Sequence, residues 1–519
     1  MGGAVPFEGF WINTWIERRA ELSPSWVALA DDAAGGVRRV VFRELSERAR
    51  RVAGYMRSEL GVGRGDVVAM LSWGRVEVLE VLFACSRIGA IFAPLNVRLA
   101  APELTDLAGD VQPKALFFEG EHARKAKAVA ESLGVRELVH IGEGGFGPSV
   151  SYLEAVDLGG DDSPELVGLE DPVMLLQTGG TTGRPKWGVV THRMVFWNAL
   201  NTLRDLTVPG DATITAVPLF HIGGYTYTLP LLLYGGVNFI MHRWSVDRFI
   251  ELVERERPTF LFLVPAQLKM LVESPRFWEA DFTSVRWITS GGAALTPELI
   301  RAVMKKGVVQ KQGFGMTEMG PGVFALDPWD AERKMGSIGK PNLLVEARVV
   351  KDGEVEASPG EEGELLLRGP SLFGGYWRMP EETERALRGG WLHTGDVVKR
   401  DDEGYFYVVG RRKHVIRSGS ESIYPEEVER VLLAHPKVEE AVVIGVPDPK
   451  WGEVPKALVV LRRGEKLTKE ELAEFCEGKI ARYKIPKYLQ VLDEIPKSPL
   501  GKVSRAALAE LYGKPEDSY

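Results

Sequence analysis

The residues best suited to chemistry lie in one short run, Thr178-Gly-Gly-Thr-Thr-Gly-Arg-Pro-Lys186. It follows the apolar run 173–176, so it is expected as a loop leaving a strand. Gly179, Gly180 and Gly183 let the backbone turn tightly and aim its amides at an anion. Thr178, Thr181 and Thr182 add hydroxyl donors, and Lys186 adds a positive charge. Those types at that spacing suit a polyphosphate. The run is not a Walker A loop, because the order G-x-x-x-x-G-K-[ST] is absent. No Gly-x-Ser-x-Gly elbow occurs either, so a hydrolytic serine is not expected.

A loop of this kind needs strand ends and helix starts to hold it. Short continuous apolar runs at 66–71, 114–118, 137–141, 212–219, 259–265 and 285–292 lie among segments with helical periodicity. That pattern predicts parallel strands covered on both faces, an α/β body with more than one sheet. The most apolar stretches, 229–241 and 258–266, are too short to span a bilayer and read as buried strands or strand–turn units. From about 344 the period approaches two, with Gly turns, which predicts a small antiparallel, β-barrel-like unit. The charged, turn-rich segment 410–429 marks a boundary between a large domain, 1–410, and a small α+β domain, 411–519. In the latter, Pro425 opens a helix with Val428, Val431 and Leu432 on one face. Thr468 and Glu471 form a capping box before Leu472, Phe475, Cys476 and Ile480.

The loop resembles the phosphate loop of the adenylate-forming superfamily, which includes acyl-CoA synthetases, luciferases and peptide-synthetase adenylation domains. Further motifs arrive in that family's order and cover almost the whole chain. They are Pro218-Leu-Phe-His221-Ile-Gly-Gly224, Ser290-Gly-Gly-Ala-Ala-Leu295, Gln312-Gly-Phe-Gly-Met-Thr317-Glu318, Trp391-Leu-His-Thr-Gly-Asp396, Gly410-Arg-Arg-Lys413 and Pro496-Lys-Ser-Pro-Leu-Gly-Lys502. The resemblance is to the acyl-CoA synthetase branch, most like medium- and long-chain fatty acyl-CoA synthetases, on segments such as 95–104 and 479–487. It implies a large domain of stacked mixed and parallel sheets with helices, and a small mobile C-terminal domain with a hinge near 411–414.

The resemblance also implies a reaction in two steps. A carboxylate attacks the α-phosphate of Mg²⁺-bound ATP to give an acyl-adenylate and pyrophosphate; coenzyme A then takes the acyl group and AMP leaves. It gives Lys502 the charge stabilisation of the first step, Thr317 a donor to the α-phosphate, and Glu318 with Thr178 the Mg²⁺ ligands. His221 borders the substrate carboxylate. Gly292, Ala293, Gln312, Gly313 and Phe314 surround the adenine, Asp396 accepts from the ribose hydroxyls, and Arg411 and Lys413 belong to the hinge and nucleotide side. Tyr225, Gly223 and Gly315 border the acyl group, and Gly419 and Ser420 the thiol path. The chain departs from the family at four positions: Trp187 for Gly after the phosphate loop, Phe314 for Tyr, His414 for the hinge Asp, and Ser420 for the second Gly of the S-G-G-E loop.

Segments 221–234, 290–295 and 312–322 are expected to line the acyl pocket, and they hold no Lys or Arg for a second carboxylate. A hydrophobic monocarboxylic acid is therefore expected, a fatty acid first. An aryl acid is the alternative, and so are loading of a carrier protein and a non-catalytic nucleotide-binding role. The net charge of −8, without a basic block, speaks against nucleic acid as a partner. Cys85 and Cys476 stand too far apart in sequence to suggest a disulfide framework, so a cytoplasmic setting is expected. No secretory signal or transmembrane segment is expected. A peripheral membrane contact and a homodimer are left open.

Overall fold

The computed structural model describes residues 12–33, 35–178, 185–202, 210–292, 295, 297–351, 355–411, 416–419, 421–423, 425–496 and 505–517. Contacts divide the chain into two compact units. The first comprises Met1–Val97, Ala108–Gln177 and Trp187–Val409; the second comprises Arg98–Leu107, Thr178–Lys186 and Gly410–Tyr519.

The first unit contains the stacked-sheet body. Its nine-stranded sheet has a parallel centre: Val27–Asp31, Val237–Ile240, Ala212–Thr215, Phe260–Leu263, Trp287–Ser290 and Val309–Met316 lie side by side in that order. Antiparallel strands close both edges, Arg38–Val41 on one side, Gly320–Ala325 and Lys340–Pro341 on the other. A seven-stranded sheet pairs Val67–Leu71 in parallel with Ile91–Pro94 and Ala115–Glu119, and carries Pro172–Thr178 and Lys186–Thr191 at one end. The strand Val67–Leu71 is buried throughout, as a strand covered on both faces must be. The expected antiparallel unit is a four-stranded sheet of Glu346–Val350, Glu362–Arg368, Leu392–Arg400 and Phe406–Arg411.

The core of this unit includes one cluster of buried charge. Glu80, fully buried on the helix Val76–Arg87, accepts from Arg48 at 2.6 and 3.2 Å, from Arg38 at 3.4 Å and from the Tyr152 hydroxyl at 2.6 Å. A buried carboxylate persists only with such a full set of donors.

One apolar stretch folds differently from expectation. Residues Thr228–Tyr234 form a helix, ended by Gly235 in the left-handed region (φ 79°), and only Val237–Ile240 is a strand. Both faces of that helix's apolar run are buried, so its hydrophobic pattern carries no period by which to tell it from a buried strand. Among the described residues, no helix is long and apolar enough to cross a membrane.

The second unit has a five-stranded sheet in which the long strands Val438–Asp448 and Gly452–Leu461 pair antiparallel and Tyr488–Leu492 joins in parallel. Pro425–Leu433 is helical and buries Val428 and Leu432. The Thr468 side chain caps the helix Lys469–Cys476 by accepting from the Glu471 N–H at 3.2 Å. Both cysteines are buried and unbridged, and burial pushes the Cys476 thiol up to about 11.

His192, the first residue of the helix His192–Asn201, is 2 % exposed, and desolvation pushes its pKa down to about 4. The unfolded chain binds this proton below about 6.5, the folded chain only near 4, so stability is complete above pH 6.5 and declines as the pH falls toward 4. The difference is worth about 3 kcal/mol. Urea unfolding across this range should show that decline, and His192→Gln should flatten it; an unchanged slope would assign the decline to other groups.

Candidate active site

The site motifs sit where strands end. The strand Pro172–Thr178 delivers Thr178, which is buried, with its hydroxyl lacking a hydrogen-bond partner among the described residues. Gly179, Gly180, Thr181, Thr182 and Gly183 lie outside the described residues. Lys186 opens the next strand and is buried. Trp187, which takes the place of a glycine in the resembling family, is a strand residue only 2 % exposed. Its carbonyl accepts from the Trp377 N–H at 2.8 Å, and Val189 exchanges bonds with Gly374 and Gly375 at 2.8 and 2.9 Å. The ring belongs to the packed body rather than to the loop's tip.

Two further turns require glycine. A Cβ at Gly291 would stand 2.9 Å from the Gly313 carbonyl, and Gly292 has φ 84°. Such close backbone approach and such a dihedral are open to glycine at little cost. Ala293 lies outside the described residues. A Cβ at Gly315 would collide with the Pro321 carbonyl, so the strand Val309–Met316 can double back into Gly320–Ala325 only with glycine there. Around that hairpin Phe314 meets Phe324 edge-on, with ring centroids 5.8 Å apart. The Gln312 side chain donates to the Ser337 carbonyl at 2.9 Å, which gives it a role in holding the strand.

Thr317 and Glu318 occupy the turn of this hairpin and are both buried. Glu318 is held at two points: its Oε1 accepts from the Tyr376 hydroxyl at 2.9 Å, and its carbonyl accepts from the Phe373 N–H at 2.9 Å. A carboxylate so placed is oriented before any ligand arrives. Asp396 lies buried in the strand Leu392–Arg400. Its N–H donates to Thr394 Oγ1 at 3.1 Å, and that hydroxyl donates to the Leu365 carbonyl at 2.8 Å. Gly395 before it has φ 71° and donates to Glu364 at 3.2 Å.

His221 precedes a short 3₁₀ turn, Ile222–Tyr225, with its ring 4.9 Å from that of Phe220. The tightness of this turn falls on Gly224, where a Cβ would lie 2.6 Å from the Pro218 carbonyl. Gly223 has room for one at ordinary contact distance.

An apolar pocket opens beside this turn. From the segments expected to line it come Ile222, Tyr225, Leu229, Pro230, Gly320 and Pro321. Gly223 lines a neighbouring cavity instead, and among the described residues neither Gly315 nor any of segment 290–295 lines the pocket. The sequence reading missed the other wall, in which Met174 and Val190 come from strands and Met194, Val195, Asn198 and Ala199 from the helix His192–Asn201. The spacing i, i+1, i+4, i+5 is one helical face, a signal present in the sequence but indistinguishable there from an ordinary core face. No charged side chain lines the pocket among the described residues.

In the second unit, Arg411 ends the strand Phe406–Arg411, while Lys413, His414, Ser420 and Lys502 lie outside the described residues. Gly419 stands in the turn between Ile416–Ser418 and Glu421–Ile423, with φ 62° and its N–H on the Trp451 carbonyl at 2.7 Å.

Residues 16–377 match the family model of the AMP-binding enzymes, and residues 427–502 match that of the AMP-binding enzyme C-terminal domain. The chain belongs to the AMP-binding enzyme family. It is 38% identical over 505 residues to a feruloyl-CoA synthase of Amycolatopsis sp, covering 97% of this chain and 99% of the relative. It is 37% identical over 508 residues to an indoleacetate–CoA ligase of Aromatoleum aromaticum, covering 97% and 98%. Among solved structures, an o-succinylbenzoate CoA synthetase from Bacillus subtilis matches with a TM-score of 0.84 at 30% identity, covering 96% of this chain and 98% of that one. A Mycobacterium tuberculosis fatty acyl CoA synthetase matches with a TM-score of 0.73 at 31% identity, covering 98% and 99%. As an AMP-binding enzyme of this kind the chain is a ligase that forms acyl-CoA, as its motifs implied.

For this AMP-binding enzyme the hairpin at Gly315 is the most exacting element. Gly315→Ala should displace the Thr317–Glu318 turn and lower AMP formation by about 100-fold, with Gly36→Ala, where nothing lies within 4 Å, as the neutral control. Steady-state AMP release measures both; equal rates would show that the turn tolerates the shift.

Proposed function

We propose that the enzyme activates an aromatic monocarboxylic acid as its acyl-adenylate and passes the acyl group to coenzyme A. The observation that carries the reading is the uncharged pocket formed by the Ile222–Tyr225 turn, the helix His192–Asn201 and Gly320–Pro321. It offers no cation to a second carboxylate, and it offers Met174, Met194 and Tyr225 to a flat ring, since thioethers and aromatic edges both favour one. The relatives named for feruloyl and indoleacetate substrates, each an aromatic monocarboxylic acid, support an aromatic acid over the fatty acid first expected. The fatty acyl CoA synthetase among the similar structures keeps the aliphatic acid as the rival substrate.

In the first step a carboxylate oxygen bonds to the α-phosphorus of ATP as the bond to the bridging oxygen breaks, and pyrophosphate leaves. Positioning and charge stabilisation dominate such a transfer. Lys502 is assigned the charge on the attacking carboxylate and α-phosphate, Thr317 a hydrogen bond to the α-phosphate, and His221 the orientation of the carboxylate. Asp396 is assigned the ribose hydroxyls, with Arg411 and Lys413 on the nucleotide side, and Gly292, Ala293, Gly313 and Phe314 the adenine. Glu318, a buried carboxylate already oriented by Tyr376, is the residue fitted to hold Mg²⁺, and the unpartnered Thr178 hydroxyl is another hard oxygen of the type that ion takes. The ion, when bound, neutralises phosphate charge. In the second step the coenzyme A sulfur attacks the acyl carbonyl, the carbonyl–phosphate oxygen bond breaks, AMP leaves with that electron pair and the thiol proton passes to water. The turn Gly419–Ser420 is assigned the thiol path.

AMP and pyrophosphate release with coenzyme A across cinnamates, arylacetates, benzoates and fatty acids tests the reading. Aryl acids should exceed fatty acids in kcat/KM by at least about tenfold, and Lys502→Ala should lower adenylate formation by about 10²–10³. A preference for fatty acids would overturn the substrate; turnover indifferent to Lys502 would overturn its role.

A further inference from the structure

Glu318, the carboxylate fitted to hold Mg²⁺, is held by a strip of chain that belongs to none of the sequence motifs. Residues 373–377 run alongside the buried strand Lys186–Thr191. The Gly374 N–H donates to the Val189 carbonyl at 2.8 Å, the Val189 N–H to the Gly375 carbonyl at 2.9 Å, and the Trp377 N–H to the Trp187 carbonyl at 2.8 Å. Gly188 and Tyr376 form an antiparallel bridge between these bonds. The strip is thereby fastened to a rigid support.

From this strip two bonds reach Glu318. The Phe373 N–H donates to its carbonyl and the Tyr376 hydroxyl to its Oε1, each at 2.9 Å. The first bond sets the backbone of Glu318, and the second sets its carboxylate. Tyr376 is itself fixed. Its N–H donates to Thr383 Oγ1 at 2.9 Å, and that hydroxyl donates to the Met379 carbonyl at 2.9 Å. Its ring meets that of Phe373 edge-on, with centroids 5.0 Å apart. Gly375 permits this approach: it has φ 106°, and a Cβ there would stand 2.7 Å from Thr383 Cγ2.

The terminal torsion of a glutamate is soft, so a carboxylate left to itself samples many orientations. A donor on one oxygen fixes the plane of the group and the direction of its lone pairs. Partners of this kind behind a metal ligand commonly contribute 10–100-fold to affinity.

We propose that Tyr376 is a positioning residue for the divalent ion: its hydroxyl holds the Glu318 carboxylate in the orientation that takes Mg²⁺, and its bond to Thr383 holds Tyr376 there. The inference rests on the reading of Glu318 as a ligand of that ion.

The test measures the dissociation constant of Mn²⁺ from the full-length enzyme carrying the unreactive α,β-methylene-ATP, with free Mn²⁺ read by electron paramagnetic resonance. Tyr376→Phe keeps the ring and removes the donor. It should weaken Mn²⁺ by about 10–100-fold and leave metal-free binding of the nucleotide unchanged. The Mg²⁺ concentration for half-maximal AMP release should rise by the same factor. Glu318→Gln examines the underlying reading: if it binds Mn²⁺ as wild type does, Glu318 is not a ligand and the proposal falls with that reading. If Glu318→Gln weakens Mn²⁺ and Tyr376→Phe does not, the carboxylate holds the ion and the role of Tyr376 alone is overturned. Equal loss of Mn²⁺ and of metal-free nucleotide binding in Tyr376→Phe would show general packing and overturn it too. Should Tyr376→Phe fail to fold, Thr383→Val takes its place: weaker Mn²⁺ with intact metal-free nucleotide binding supports the proposal, and unchanged Mn²⁺ binding overturns it.

Discussion

Backbone passing close to backbone is the constraint on which the site depends. At Gly291 beside the Gly313 carbonyl, at Gly315 beside Pro321 and at Gly224 beside Pro218, the chain comes nearer to itself than any side chain permits. Each contact lies at the end of a strand or in the turn that follows it. The parallel sheet supplies the rigid part of this arrangement, because its central strands are buried and paired on both sides. The glycines then let the connecting turns fold directly over the strand ends, so that Thr317, Glu318 and His221 project from stiff supports.

The buried polar groups of the first unit separate into those that are satisfied within the fold and those that are not. Glu80 draws four donated bonds from three neighbours, Gln312 reaches the Ser337 carbonyl, and Glu318 takes the Tyr376 hydroxyl. These bonds offset desolvation and hold elements together. The Tyr225 hydroxyl and Asn198 Nδ2, on two residues that line the apolar pocket, have no such partner among the described residues. Strain of this kind gathers where ligands bind, since the rest of the fold can sustain it. Glu318 belongs to the satisfied groups and is also built of the hard oxygens that a divalent cation takes.

Much of this was legible in the sequence, and for a local reason. The Gly-rich turns and the Thr468 cap depend on residue type and spacing over a few positions, so they are written where they act. The helix Thr228–Tyr234 was not legible as a helix: a run buried on all sides has no polar face to give it a period. The place of Trp187 was not legible either, because it depends on a segment distant in sequence, whose Trp377 N–H bonds its carbonyl.

Family and reaction class were thus determined by the sequence alone, since each motif is a short stretch whose backbone freedom and donors act together. The wall of the apolar pocket beside the Ile222–Tyr225 turn was decided only by the tertiary structure. Met194, Val195, Asn198 and Ala199 form a helical face that could equally have served the core, and nothing nearby in the sequence distinguishes the two. Only when two strands, two helices and a glycine hairpin converge does that face meet Tyr225 around a common space.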